Sequence, residues 1–68
     1  MDMTDLTKPF VRYYDAGAYE GETEHRFMFS FYRSEHQPGQ CELVRASELA
    51  QYLRYLAEHS HYQICKGQ

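Results

Sequence analysis

The sequence predicts an α+β fold, a small antiparallel or mixed four-stranded sheet in the order β-β-β-α-β with one helix packed on one face. Three observations carry this reading. Residues 25–33, HRFMFSFYR, place phenylalanine at every second position (Phe27, Phe29, Phe31), the mark of a strand with two unlike faces. Leu49, Tyr52, Leu53, Leu56 and Ala57 recur at helical spacing and form one apolar stripe, with Gln51, Arg54 and Glu58 on the opposite side. The other aromatic and β-branched segments are short and separated by Gly- and Pro-containing stretches, as strands are.

Taken in order, residues 1–8 form a flexible N-terminal leader ending at Pro9, and residues 9–68 form a single domain. PFVRYYD is the first strand, and AGAYEGE supplies Gly17 and Gly21 to turn the chain. The second strand spans roughly residues 24–33. In SEHQPGQ, Pro38-Gly39 suits the central positions of a type II turn, where glycine tolerates φ > 0. CELVR is a short third strand. Ser47 is positioned as the helix N-cap, and Glu48 lies near the positive end of the helix dipole. His59, Ser60 and His61 close the helix, and YQIC is the fourth strand. A right-handed crossover through the helix delivers this strand parallel to the first, in the order 3-2-1-4.

A chain of 68 residues buries only about 60% of its unfolded surface and builds one thin core. One helix covers one face of a sheet. With Phe27, Phe29 and Phe31 turned to the leucine stripe, Met28, Ser30 and Tyr32 point away. On the first strand Arg12 shares a face with Phe10 and Tyr14, so that face is placed outside and Val11 with Tyr13 inside. The outer face then holds Phe10, Tyr14, Met28 and Tyr32, edged by Arg12, Arg26 and Glu24. An apolar centre with a charged rim is the composition of a protein interface.

The segment from Asp15 to Glu24 carries four carboxylates, Asp15, Glu20, Glu22 and Glu24. In an extended chain the three glutamates project to one side and form a strip suited to docking on a basic surface. The strip lacks the ligand spacing of a calcium loop. His59, His61, Cys65 and Cys41 raise the question of zinc. His61 and Cys65 on one strand stand about 13 Å apart, too far to share an ion without a bend, so no metal and no cofactor is expected. No phosphate loop, nucleophile elbow or catalytic triad spacing occurs, and the chain reads as a non-enzyme. The sheet aromatics beside Arg12, Arg26 and Arg33 suggest a single-strand nucleic-acid platform. The formal charge of −3 and the want of a glycine-containing RRM sheet motif count against it.

Seven tyrosines and no tryptophan suit half-buried contact positions. Two cysteines are too few for a secreted disulfide scaffold, and MDMTDLTKP lacks the apolar stretch of a signal peptide, so a cytoplasmic protein with reduced thiols is expected. No apolar run approaches the roughly 20 residues that span a bilayer, so no membrane partner is expected. The functional expectation is a small protein–protein interaction module, an inhibitor or adaptor that occludes a basic or apolar surface of a larger protein. The alternatives are a homodimer with a structural or regulatory role and a single-stranded nucleic-acid binder. In size and charge the chain is similar in kind to the small inhibitors of phages and mobile elements, anti-defence proteins among them, a likeness that rests on no matched residue.

Overall fold

A computed structural model describes residues 4–67. Strands β1 (Phe10–Gly17), β2 (Arg26–Ser34) and β3 (Gln37–Arg45) run antiparallel in sequence. A 3₁₀ turn (Ala46–Glu48) leads into helix α1 (Leu49–His59), and β4 (Gln63–Lys66) then adds parallel to β1. The sheet order is β3-β2-β1-β4, as the alternating pattern and the single crossover predict.

The core lies between the sheet and α1. Val11 and Phe29 have no exposed surface, and Phe31, Val44 and Leu56 are also buried. Tyr13, Phe27, Leu49, Tyr52, Leu53 and Tyr62 pack around them. Phe29 is the hub. Its ring stacks on Tyr13 across the β1–β2 ladder, 5.1 Å between centroids, and meets Tyr52 of the helix edge-on at 4.8 Å. Phe31 makes a similar edge contact with Tyr62 at 5.2 Å. Aromatic pairs of this kind add about 0.5–1.5 kcal/mol beyond the burial itself. Ala57, at the margin of the helical stripe, is exposed.

Two local expectations are corrected. Pro38 and Gly39 do not form the turn. They lie inside β3, and the turn is Glu35–His36, closed by the pairing of Ser34 with Gln37. Left-handed backbone occurs among the described residues only at Gly17 and Gly21, so Gly39 has no type II role. A side chain at Gly39 would have its Cβ 3.1 Å from the Phe31 carbonyl oxygen, so the residue is small because two backbones approach there. Pro38 is tolerated because β3 is an edge strand, and the β2–β3 register is irregular on both sides of Tyr32.

The second correction concerns Ser47. It is not the N-cap: the 3₁₀ turn intervenes, α1 begins at Leu49, and Glu48 precedes it without a side-chain cap. The Ser47 N–H instead donates to Glu24 Oε2 at 3.1 Å, and the Ala46 N–H donates to the His25 carbonyl. A carboxylate delivered from the β1–β2 connection thus meets the free donors that open the helical segment. At the far end the Leu56 carbonyl accepts from both the backbone N–H and the hydroxyl of Ser60, whose extended backbone starts the path to β4.

Phe29→Ala should cost about 3–5 kcal/mol, while Met28→Ala, one residue away on the other face, should cost under about 1 kcal/mol. Urea unfolding followed by circular dichroism measures both. Equal losses would mean that the two faces are not distinguished as described.

Candidate functional site: the outer face of the sheet

The β-ladder sorts the outer side chains into rows that cross the strands. Pairing of Tyr14 with Met28, and of Met28 with Leu43, makes one apolar row over β1, β2 and β3. On one side of it lies the row Arg12, Ser30, Cys41, and on the other the pair Arg26 and Arg45. Tyr14 and Met28 are half-buried, and Leu43 is 43% exposed. Neighbouring rows on one strand face stand about 7 Å apart, so this is one continuous surface rather than scattered groups.

The next row, Phe10 with Tyr32, is different. The two rings stack at 4.7 Å with 6° between their planes, and the Arg12 guanidinium lies 5.6 Å over Phe10. Phe10 is only 1% exposed although it stands outside the core cluster. Beside the Tyr32 stack and Arg12, residues 4–8 run along this end of the face. The Asp5 N–H donates to Gln63 Oε1, Gln63 Nε2 donates back to the Asp5 carbonyl, and Thr4 Oγ1 lies 3.1 Å from Cys65 Sγ. The Glu35 N–H donates to the Leu6 carbonyl at 2.7 Å. Gln63 and Cys65 are the β4 partners of Phe10 and Arg12, and Glu35 lies in the β2–β3 turn. The leader therefore crosses this end of the outer face as a strap. Thr4, Asp5 and Leu6 are tied to β4 and the β2–β3 turn, and Thr7 and Lys8 bond back to Asp5; residues 1–3 of the expected flexible leader lie outside the described residues. Phe10 is accordingly not available as a contact residue, and the accessible surface is the half beyond the strap.

The acidic segment does not form the extended strip expected of it. Residues 18–25 are a loop, and most of its carboxylates are engaged within the chain. Asp15 accepts from the Gly17 N–H at 2.8 Å and pairs with His25 Nδ1 at 2.8 Å. Glu22 forms an ion pair with Arg26, whose guanidinium also sits 4.1 Å over the Tyr19 ring. The Glu22 bond holds the Arg26 guanidinium above its ordinary value. Glu24 reaches Ser47. Glu20 alone of the four has no such bond among the described residues.

Leu43 is the residue that sequence reasoning missed. In CELVR, Leu43 and Val44 are adjacent, and either could have faced the core; only the pairing of Phe27 with Val44 decides. Tyr19, 54% exposed beside Arg26, was likewise hidden in a loop of no regular period.

A cleft of about 420 Å³ beside the loop is lined by Gly21, Glu22, Thr23, Glu24, Arg26 and Arg45, charges that neutralise one another. Among the described residues no three His, Cys, Asp or Glu side chains converge as metal ligands, and Cys41 and Cys65 are free thiols. Phe29 and Phe31 are buried against the helix, so that phenylalanine series presents no stacking platform. No helix of the described residues is long and apolar enough to cross a membrane. Comparison with protein-family models, with curated proteins and with solved structures yields no match.

Hydrogen bonds from Ser47, side chain first and backbone second, hold the Glu24 carboxyl below its ordinary value of 4.5, and nearby Arg45 and Arg26 act in the same direction. The Gly17 N–H and then His25 do the same for Asp15. A lowered folded-state value means that the ionised form favours folding. The contribution is complete above the ordinary carboxylate range and is lost as pH falls through the lower folded value. Glu24→Gln and Asp15→Asn should therefore lower the melting temperature at neutral pH and flatten its decline in acid. Melts across an acid pH series test this; a decline as steep as that of the parent would mean the bonds do not persist in solution.

Proposed function

We propose that the chain is a non-enzymatic protein–protein interaction module, an inhibitor or adaptor that occludes or bridges a surface of a larger protein through the open half of its outer sheet face. The observation that carries this reading is the row Tyr14, Met28 and Leu43, half-buried to exposed, continuous across three strands and flanked by arginines. Single exposed apolar residues are ordinary on a protein surface, but a contiguous apolar centre with a charged rim is not. Tyr and Met are favoured at interface centres because they offer large contact area at little entropic cost or adapt their shape. Removal of apolar surface from water contributes about 25 cal/mol per Å², so this row would be the main source of affinity.

Tyr32, half-buried and stacked on Phe10, sits at the boundary of the surface. In this reading the acidic loop shapes the module by holding Arg26 and the start of the helical segment, and Glu20 is the carboxylate left to influence encounter.

The test is affinity capture from the source cell with the purified chain as bait, comparing the parent, Met28→Ala with Leu43→Ala, and Tyr55→Ala on the exposed helix. A protein retained by the parent and by the Tyr55 variant should fall at least about tenfold in yield with the sheet-face pair, since central interface contacts govern dissociation. Capture that survives the sheet-face pair and is lost with Tyr55→Ala would move the surface to the helix.

A further inference from the structure

We propose that residues 41–45 of the edge strand β3 pair antiparallel with the same segment of a second copy, about a twofold axis through Leu43, joining two sheets into one. The pairing goes beyond the outer-face reading and rests on different observations.

A sheet edge leaves alternate N–H and C=O groups without a strand partner, and proteins protect such edges with proline, bulges, short strands or covering segments. The β4 edge is protected. It is four residues long, and Asp5 and Thr4 of the leader meet Gln63 and Cys65 there. The first half of β3 is protected by Pro38 and by the irregular register on both sides of Tyr32. Residues 41–45 have none of these devices. They pair with β2 in unbroken register from Ser30–Cys41 to Arg26–Arg45, and all but Val44 are exposed. One step further on, the Ala46 N–H donates to the His25 carbonyl. Alternate residues of an antiparallel strand turn both backbone groups the same way. Ala46, Val44 and Glu42 therefore bond towards β2, and Arg45, Leu43 and Cys41 turn theirs to the open edge.

This stretch is its own complement. A twofold axis normal to the sheet at Leu43 sets Leu43 against the copy's Leu43 and Cys41 against the copy's Arg45, each pair exchanging both N–H···O bonds. Glu42 then lies opposite Val44, so no two like charges face each other directly. Other centres fail. An axis at Glu42 opposes two carboxylates, and one at Arg45 opposes two guanidiniums. An axis at Cys41 draws the irregular, proline-bearing half of β3 into the ladder, and one at Val44 sets Cys41 against Ser47 in the 3₁₀ turn. Only the Leu43 axis uses the whole regular stretch. The joined sheet carries Tyr14, Met28 and Leu43 of both copies in one row on its outer face, so the second copy extends the surface described above. Glu42, on the helix side, has its counterpart diagonally across at about 7 Å, which is the unfavourable contact of this register. Pairing along half a strand is a small interface, so the dimer forms and dissociates with concentration.

Sedimentation equilibrium of the purified chain in reducing buffer, from about 10 μM to about 1 mM, tests the pairing, with amide hydrogen exchange as the site readout. A dimer should form across this range, and the Cys41, Leu43 and Arg45 amides should gain protection as it does. Leu43→Pro removes an outward N–H and should weaken the dimer at least about tenfold. Leu43→Lys, which opposes two cations and leaves the backbone unchanged, should do the same. Glu42→Gln should tighten the dimer about threefold, and Met28→Ala, on the face rather than the edge, should leave it unchanged. A chain still monomeric at about 1 mM would overturn the inference and leave the outer-face reading standing. A dimer indifferent to both Leu43 variants would overturn it as well. A dimer lost with Met28→Ala, with those three amides exchanging freely, would overturn it by moving self-association to the sheet face.

Discussion

One helix of eleven residues has to cover a four-stranded sheet, and it can cover only one side. Everything else in the molecule follows from how the chain lives with that limit. The centre of the arrangement is Phe29, packed between Tyr13 on the neighbouring strand and Tyr52 on the helix. A strand alternates its side chains with period two, so burial of Phe27, Phe29 and Phe31 obliges Met28, Ser30 and Tyr32 to face the other way. A slip of one residue would bury a serine and expose three phenylalanines. The core and the open face are two consequences of the same alternation.

The chain closes part of the open face with its own leader and braces the opposite end with charge. The strap reaches from Gln63 to Glu35 at the end of the face where Phe10 lies stacked on Tyr32 and buried. At the other end a left-handed Gly17 turns β1 out of the sheet, and Asp15, Glu22 and Glu24 bind His25, Arg26 and Ser47 in succession. These exposed bonds are individually weak, and their value lies in fixing where the loop and the start of the helical segment sit. Between strap and loop remain Tyr14, Met28 and Leu43.

Elements whose signal is local and periodic were legible in the sequence. The phenylalanine alternation, the leucine stripe and the single crossover lead to the observed strand order and to the correct inner and outer faces of β1 and β2. The parts that were not legible depend on distant partners. Pro-Gly reads as a turn, yet it serves equally well on an edge strand where another backbone comes close, and only the position of Phe31 distinguishes the two. Ser47 is a sound cap by its neighbours, but Glu24, distant in sequence, takes its N–H. Phe10 has the pattern of an exposed residue, and nothing periodic signals that it is buried in a stack with Tyr32 at the end where the leader crosses. Leu43 and Val44 are interchangeable until strand pairing is known. For the same reason the acidic segment looked like one strip, whereas its carboxylates turn to separate partners.

On the proposed reading, contacts are made by the open half of the sheet face, and not by the acidic loop or the helix. Cross-saturation from a bound, unlabelled partner to methyl groups of the labelled chain tests this most directly, because methyls mark each of the three surfaces. Met28 and Leu43 report the sheet face, Ala18 the loop, and Ala50 and Ala57 the exposed side of the helix. Saturation concentrated on Met28 and Leu43 is the predicted result. Saturation of Ala18, or of Ala50 and Ala57, with Met28 and Leu43 unaffected would contradict it.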